Sequence, residues 1–192
     1  YVLPQAIDWI LLAVFAVFLQ AISPHKFIGW GLMVIYMVTQ VTFQNLGFQH
    51  NLYNYGGSPG MPFSDMNRLG AFWIGAWWFR AYWSAFAVLL AVLSYALWRR
   101  GTETRLLPRL RRLPRRLRGA NGVVFGVVFL AFAGLGGFIF VNTNVWNEYR
   151  TNLDDERWTA DMEKTLLRYE NAPQPKITGM KLDIDLYPGE PR

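Results

Sequence analysis

The 192-residue chain is 53% hydrophobic and 17% aromatic, carries a formal charge of +6 and contains no cysteine, so disulfides and thiolate metal sites are excluded. Charge divides it: residues 1–141 hold twelve Lys/Arg against three acids, and 142–192 hold seven against ten. The two parts are built for different surroundings.

The first apolar run, 7–23, opens at Asp8, and the turn at 24–26 carries Lys26. No basic stretch precedes it, so it does not read as a cleaved signal peptide. The second run, 27–48, carries Gln40, Gln44 and Asn45 toward its far end. About twenty helical residues cross a hydrocarbon core of roughly 30 Å, and both runs fit that length. The three amides either hydrogen-bond between helices or line a polar path, and Asp8 has the same two readings, with solvation at a helix end favoured. A turn-rich loop follows, "YNYGGSPGMPFSDMN", which reads as an ordered loop packed over the bundle. The third run, 69–98, would reach about 45 Å as one helix, too long for one perpendicular crossing. Its first part holds four tryptophans and Arg80. It is therefore split into a short interfacial or re-entrant helix over 69–79 and a span over 80–98. Arg80 and Trp83 then fall near the membrane–water interface, where a long basic side chain reaches headgroups and an indole is favoured.

The loop at 99–120 holds nine arginines and one acid, Glu103. Short basic loops stay in the cytoplasm, which places the loop at 49–68 and both chain ends outside. Leu106, Leu110, Leu113 and Leu117 recur at helical spacing, with Arg105, Arg109, Arg112 and Arg116 on the remaining faces. This is a basic amphipathic segment facing anionic lipid, which Pro108 and Pro114 are expected to break into two pieces. A cytoplasmic partner is the alternative. Nucleic acid is set aside, because the loop has no aromatic residue to stack on a base.

The fourth span, 121–141, carries Gly122, Gly126, Gly137 and Ala133 as small residues for close helix packing. Beyond it the chain turns polar. Thr151 to Asp154 resembles a capping box, and Trp158, Met162, Leu166 and Tyr169 then form one apolar helical face. Pro173 and Pro175 close this extracytoplasmic segment, 142–175. In 176–192, Met180, Leu182, Ile184 and Leu186 alternate with charged residues, the period of a half-buried strand. A lone strand is unstable, so the chain reads as a piece of a longer protein whose β-rich domain follows.

Neither His25 nor His50 belongs to a metallopeptidase motif, and no nucleotide-binding glycine pattern occurs. The segment shows no catalytic apparatus and no cofactor or metal site of its own. The fold expected is an all-α membrane protein: four transmembrane helices and an interfacial helix in residues 1–141, then an extracytoplasmic helix and a single strand.

"YNYGGSPGMPFSDMN", "WFRAYW", "NTNVWNEYR" and "YENAPQPKITGMKLDIDLYP" together resemble bacterial membrane proteins in which an ABC exporter-type permease is fused to an aminopeptidase N-like zinc metallopeptidase. The resemblance implies the last membrane spans of such a permease, joined to the first strand of the peptidase part, in the inner (plasma) membrane. It implies zinc in the parent chain's peptidase domain, ATP only through a cytoplasmic ATPase partner, membrane lipids as surroundings, and a homodimer or heterodimer as assembly. The expected function is export across the inner membrane. The alternative is a passive anchor for an extracytoplasmic zinc aminopeptidase.

Overall fold

The computed structural model describes residues 2–63, 66, 70–99, 105–173 and 176–184. Six α-helices follow one another: α1 (Val2–Ile22), α2 (Lys26–Asn45), α3 (Phe72–Leu97), α4 (Leu106–Arg116), α5 (Ala120–Val141) and α6 (Asn152–Leu166). Four of them, α1, α2, α3 and α5, are long and apolar enough to cross a membrane. The chain separates into two compact units, 1–153 and 154–192.

Local chemistry sets the helix ends. α1 stops where Pro24 disfavours helical geometry at Ser23, whose hydroxyl donates back to the Leu19 carbonyl at 2.6 Å. α2 ends earlier than its apolar run does. Gly47 adopts φ +90°, its N–H bonds to the Gln44 carbonyl, and the Phe48 N–H bonds to the Phe43 carbonyl at 2.9 Å. The Phe43 and Phe48 rings meet at 5.6 Å and complete a Schellman stop.

α3 corrects the expectation of a separate interfacial helix over 69–79. It runs unbroken through 26 residues from Phe72, a rise of about 39 Å that a tilted helix accommodates. No proline lies within it to force a break. The charge of Arg80, which argued against a deep position, is neutralised inside the bundle, as described below. α3 is also the centre of the packing, with α1 on one side, α5 on the other and α2 against α1. Leu11, Phe79, Tyr82, Trp83, Ala87 and Ile139 form the core.

The close approach of α5 to α3 depends on Gly136, where an added Cβ would lie 2.9 Å from the Tyr82 ring. That ring stacks on Phe132 at 4.5 Å. The glycines singled out in the sequence act differently: nothing lies near Gly126 or Gly137, and Gly122 faces the Leu117 carbonyl.

α4 is one helix rather than two pieces. Pro108 sits in its first turn, where a missing N–H costs nothing, and Pro114 lies near its end, so the ladder loses little. α5 continues into one π-helical turn, Asn142–Trp146, a form concentrated at functional positions.

The second unit contains most of α6, a 3₁₀ turn at Leu167–Tyr169, and, among the described residues beyond it, no further helix or strand. Acids in the first turn and Lys164 in the last complement the α6 dipole, yet no residue of the helix is buried. The expected strand is absent among the described residues. Residues 176–184 form no ladder, since among the described residues there is no second strand to take their hydrogen bonds; Leu186 lies outside the described residues.

Candidate functional site

Two clusters of polar side chains lie at opposite ends of the first unit. At the loop end, Arg80 on α3 is 5% exposed and forms a two-pronged ion pair with Asp8 on α1. Its Nε donates to Asp8 Oδ1 at 3.3 Å and its Nη2 to Oδ2 at 3.2 Å, while Nη1 points at the Met61 sulfur at 3.9 Å. The sequence placed Arg80 toward headgroups; instead its charge is satisfied within the protein. The Asp8 side chain remains 33% exposed, opening on a pocket of about 210 Å³ that Gln5, Trp9, Tyr55 and Gly56 help to line. A bidentate pair of this kind fixes two helices in register.

The loop after α2 forms the roof over this pair. Tyr55 inserts between α1 and α3, where its hydroxyl donates to the Leu11 carbonyl at 2.8 Å and its ring meets Trp83 edge-on at 5.3 Å. Trp83 is buried within the bundle, and its indole N–H donates to the Asn51 carbonyl at 3.1 Å. The Tyr82 hydroxyl takes the Leu52 carbonyl at 3.3 Å. A turn-rich loop has many carbonyls without intraloop partners, and aromatic residues of α3 supply the donors. Within residues 51–63 the loop packs on the bundle as composition suggests; residues 64, 65 and 67 of the turn-rich stretch lie outside the described residues.

Gln40 donates to the Tyr36 hydroxyl at 2.8 Å, and that hydroxyl donates to the Tyr55 carbonyl at 3.3 Å. Gln40 is thus tied into helix and loop contacts. Gln44 and Asn45 are exposed at the end of α2, where the Gln44 carbonyl accepts from the Gly47 N–H at 3.3 Å and from the Gln49 side chain at 3.2 Å. The structure does not gather the three amides into one site.

His50 joins this loop to the π turn. Its Nδ1 accepts the Leu52 N–H at 3.0 Å, which puts the ring proton on Nε2, and Nε2 donates to the Thr143 hydroxyl at 3.2 Å. Thr143 passes the bond on to the Ile139 carbonyl at 2.8 Å. The Tyr149 ring covers the imidazole at 4.4 Å. Burial holds the imidazole below its ordinary pKa.

The other end is basic. Arg109 on α4 is 3% exposed and donates to the carbonyls of Ala21 at 2.6 Å, Leu97 at 2.9 Å and Ile22 at 3.4 Å. Arg116 reaches the Ala96 carbonyl at 2.5 Å and Arg99 the Ser23 carbonyl at 3.1 Å. These are the carbonyls that α1 and α3 leave without partners at their C-termini, where positive charge also favours the helix dipole. Of the four arginines assigned to lipid, Arg105 and Arg112 are exposed, whereas Arg109 and Arg116 turn inward.

Sequence reasoning missed the Asp8–Arg80 pair, the His50 bridge and the capping role of Arg109. The first left a signal: Asp8 and Arg80 carry the charges within the first and third apolar runs, and opposite charges in such runs seek each other. Among the described residues no cluster of His, Cys, Asp and Glu could hold a metal ion. No protein-family model matches the chain, and no characterised protein or solved structure is significantly similar to it.

Proposed function

We propose that the chain is the membrane-spanning part of an ABC-type exporter permease, joined to an aminopeptidase-like domain outside a bacterial inner membrane. The Asp8–Arg80 pair carries this reading. Ionisable side chains within membrane helices are costly and mark substrate or ion routes, and an anchor would gain from apolar residues in their place. Here the pair lies beneath a loop, with Asp8 open to a pocket that Gln5 also lines, so a route has somewhere to begin. The arginine-rich end belongs in the cytoplasm, beside an ATPase partner, and the loop end outside, as charge distribution favours. The family resemblance of the loop and tail motifs supplies the peptidase-like domain. Zinc, in this reading, belongs to that domain and ATP to the partner.

A passive anchor is the second reading, favoured by one observation: Tyr36, Tyr55 and Trp83 tie the loop into the bundle as a fixed lid rather than a moving one. Neutralising the ion pair in the full-length protein separates the two. Asp8→Asn leaves the buried Arg80 charge unpaired, which costs about 3–5 kcal/mol, and Arg80→Gln leaves the partly exposed Asp8 unpaired at a smaller cost, so abundance should fall most for Asp8→Asn. The double variant removes both charges and should recover abundance and peptidase activity while the export-dependent phenotype stays lost. Recovery of export along with abundance would leave the pair a structural clip and the chain an anchor.

A further inference from the structure

The seam between α1 and α3 has a built-in asymmetry. Along it runs an apolar groove of about 560 Å³ whose walls include Ile10, Ala13, Val14 and Val17 on α1 and Ala91 and Tyr95 on α3. The α1 positions follow helical spacing and form one stripe, and the small side chains Ala13 and Ala91 leave the space between them. Ser94, also in the wall, turns its hydroxyl back to the Leu90 carbonyl at 2.7 Å, so it adds no polar group to the groove. A smaller pocket of about 230 Å³, beside Ser84 and Ala87, extends the seam beyond Ile10.

At its other end the groove reaches Trp98, which also lines a second pocket, of about 320 Å³, with Gln20, Ala21 and Arg99. Gln20 and Ala21 continue the α1 stripe by one turn, so groove and pocket lie on one face of the helix pair. Arg99 is positioned by its bond to the Ser23 carbonyl. A guanidinium has five N–H donors, and one such bond orients the group without exhausting it. From Ile10 to Gln20 the α1 rise is about 15 Å, half the roughly 30 Å thickness of a hydrocarbon core. Trp98 stands at the junction of apolar and polar spaces, where indoles sit at membrane boundaries.

We propose that this seam binds one anionic diacyl phospholipid, with its phosphate at Arg99 and one acyl chain along the Ala13–Ala91 groove. The proposal rests on the reading that α1 and α3 span a membrane, but it requires neither transport nor an ATPase. Charge complementarity selects the occupant. A second copy of this chain or another apolar helix would fill the groove without using the guanidinium at its end, whereas a phosphate on an acyl chain uses both. The geometry differs from the diffuse attraction of lipid to α4, because the apolar groove places a single molecule.

Native mass spectrometry of the full-length protein, released from detergent containing equal amounts of phosphatidylglycerol and phosphatidylcholine, tests this. One phosphatidylglycerol should be retained per chain in preference to phosphatidylcholine. Arg99→Gln should cut its retention about fivefold, the worth of one basic residue at an anionic surface, and Arg99→Lys should restore most of it. Ala13→Leu, which fills the groove, should abolish retention of both lipids; Ala91→Leu is the second filling variant should the first fold poorly. Arg115→Gln, on an exposed side chain of α4, should change nothing. Equal retention of the two lipids, an equal effect of Arg115→Gln, or displacement by soluble glycerol phosphate as readily as by lipid would overturn the site. So would a lipid-free dimer of the unmodified protein. Resistance to alkaline extraction, scored in parallel, reports separately on whether the helices span a membrane.

Discussion

His50 shows how much one side chain can settle. Its Nδ1 receives the Leu52 N–H, so a proton arriving at that nitrogen would set donor against donor and release the loop from the ring. The burial that depresses its pKa fixes the direction. The neutral form fits the folded site, so its contribution is complete above the ordinary imidazole value of 6.5 and is lost as pH falls from there through the depressed folded value. The protection factor of the Leu52 amide, its exchange rate taken relative to the intrinsic rate at each pH, should fall on acidification below about 6.5, and His50→Gln should weaken that dependence. An amide equally protected at pH 7 and pH 5 would show that the ring does not hold the loop. The bridge was illegible in sequence because 93 residues separate His50 from Thr143, and no local pattern records that distance. Asp8 and Arg80 are 72 residues apart, yet their charges alone announced a need for partners.

At the scale of elements, the α4 segment divides its arginines between two surroundings: Arg105 and Arg112 stay exposed, while Arg109 and Arg116 turn into the bundle. Its leucines at helical spacing do define one face, and its arginines do cover the rest. Arg109 and Arg116, seven residues apart, both flank the leucine stripe, and the side that packs against the bundle carries them inward. There they finish α1 and α3 by satisfying carbonyls that would otherwise be orphaned. Arg109→Gln should lower the unfolding midpoint of the detergent-solubilised protein, since each buried carbonyl left unsatisfied costs about 1–3 kcal/mol. Arg115→Gln, on an exposed position, should stay within about 0.5 kcal/mol. Equal shifts would mean that α4 acts through its summed charge and not through capping. α3 teaches a related lesson. Its length and its tryptophans argued for a break, but helix continuity is decided by backbone chemistry, and no proline interrupts Phe72–Leu97. On α5 the useful glycine was Gly136, and composition alone could not distinguish it from its neighbours, because the distinction belongs to Tyr82 across the interface. Gly136→Leu should therefore separate α5 from α3 and reduce the protein's yield, whereas Gly126→Leu, in open space, should not. Matching losses for the two would remove the argument for a specific approach.

For the whole molecule, the four long apolar helices were legible because the length of an apolar run is a direct physical requirement of a bilayer. Their up-and-down order follows from contacts: the loop and the π turn meet at His50, while the ends of α1 and α3 meet α4 through Arg109. Which end faces the cytoplasm is a matter of charge, and here the sequence speaks more plainly than the packing. Nine arginines at 99–120 make translocation of that loop unfavourable, so the proposed orientation puts α4 inside and the loop end outside. Cysteines introduced one at a time into this cysteine-free chain read that directly. Met66 is 97% exposed, and a cysteine there should react with a membrane-impermeant maleimide in intact cells. One at Thr159, on α6, should react as well, since the chain crosses once more through α5 before reaching it. One at Arg115 should react only after the membrane is permeabilised. The three positions constrain one another, because inverting any single one would require an even number of crossings between neighbouring probes, where the helices supply one. Labelling at Arg115 from outside, with Met66 protected, would invert the bundle and place the arginine-rich end away from any cytoplasmic ATPase. Labelling at Met66 but not at Thr159 would instead show that α5, the most apolar of the four, fails to cross, and the tail would then lie on the arginine side.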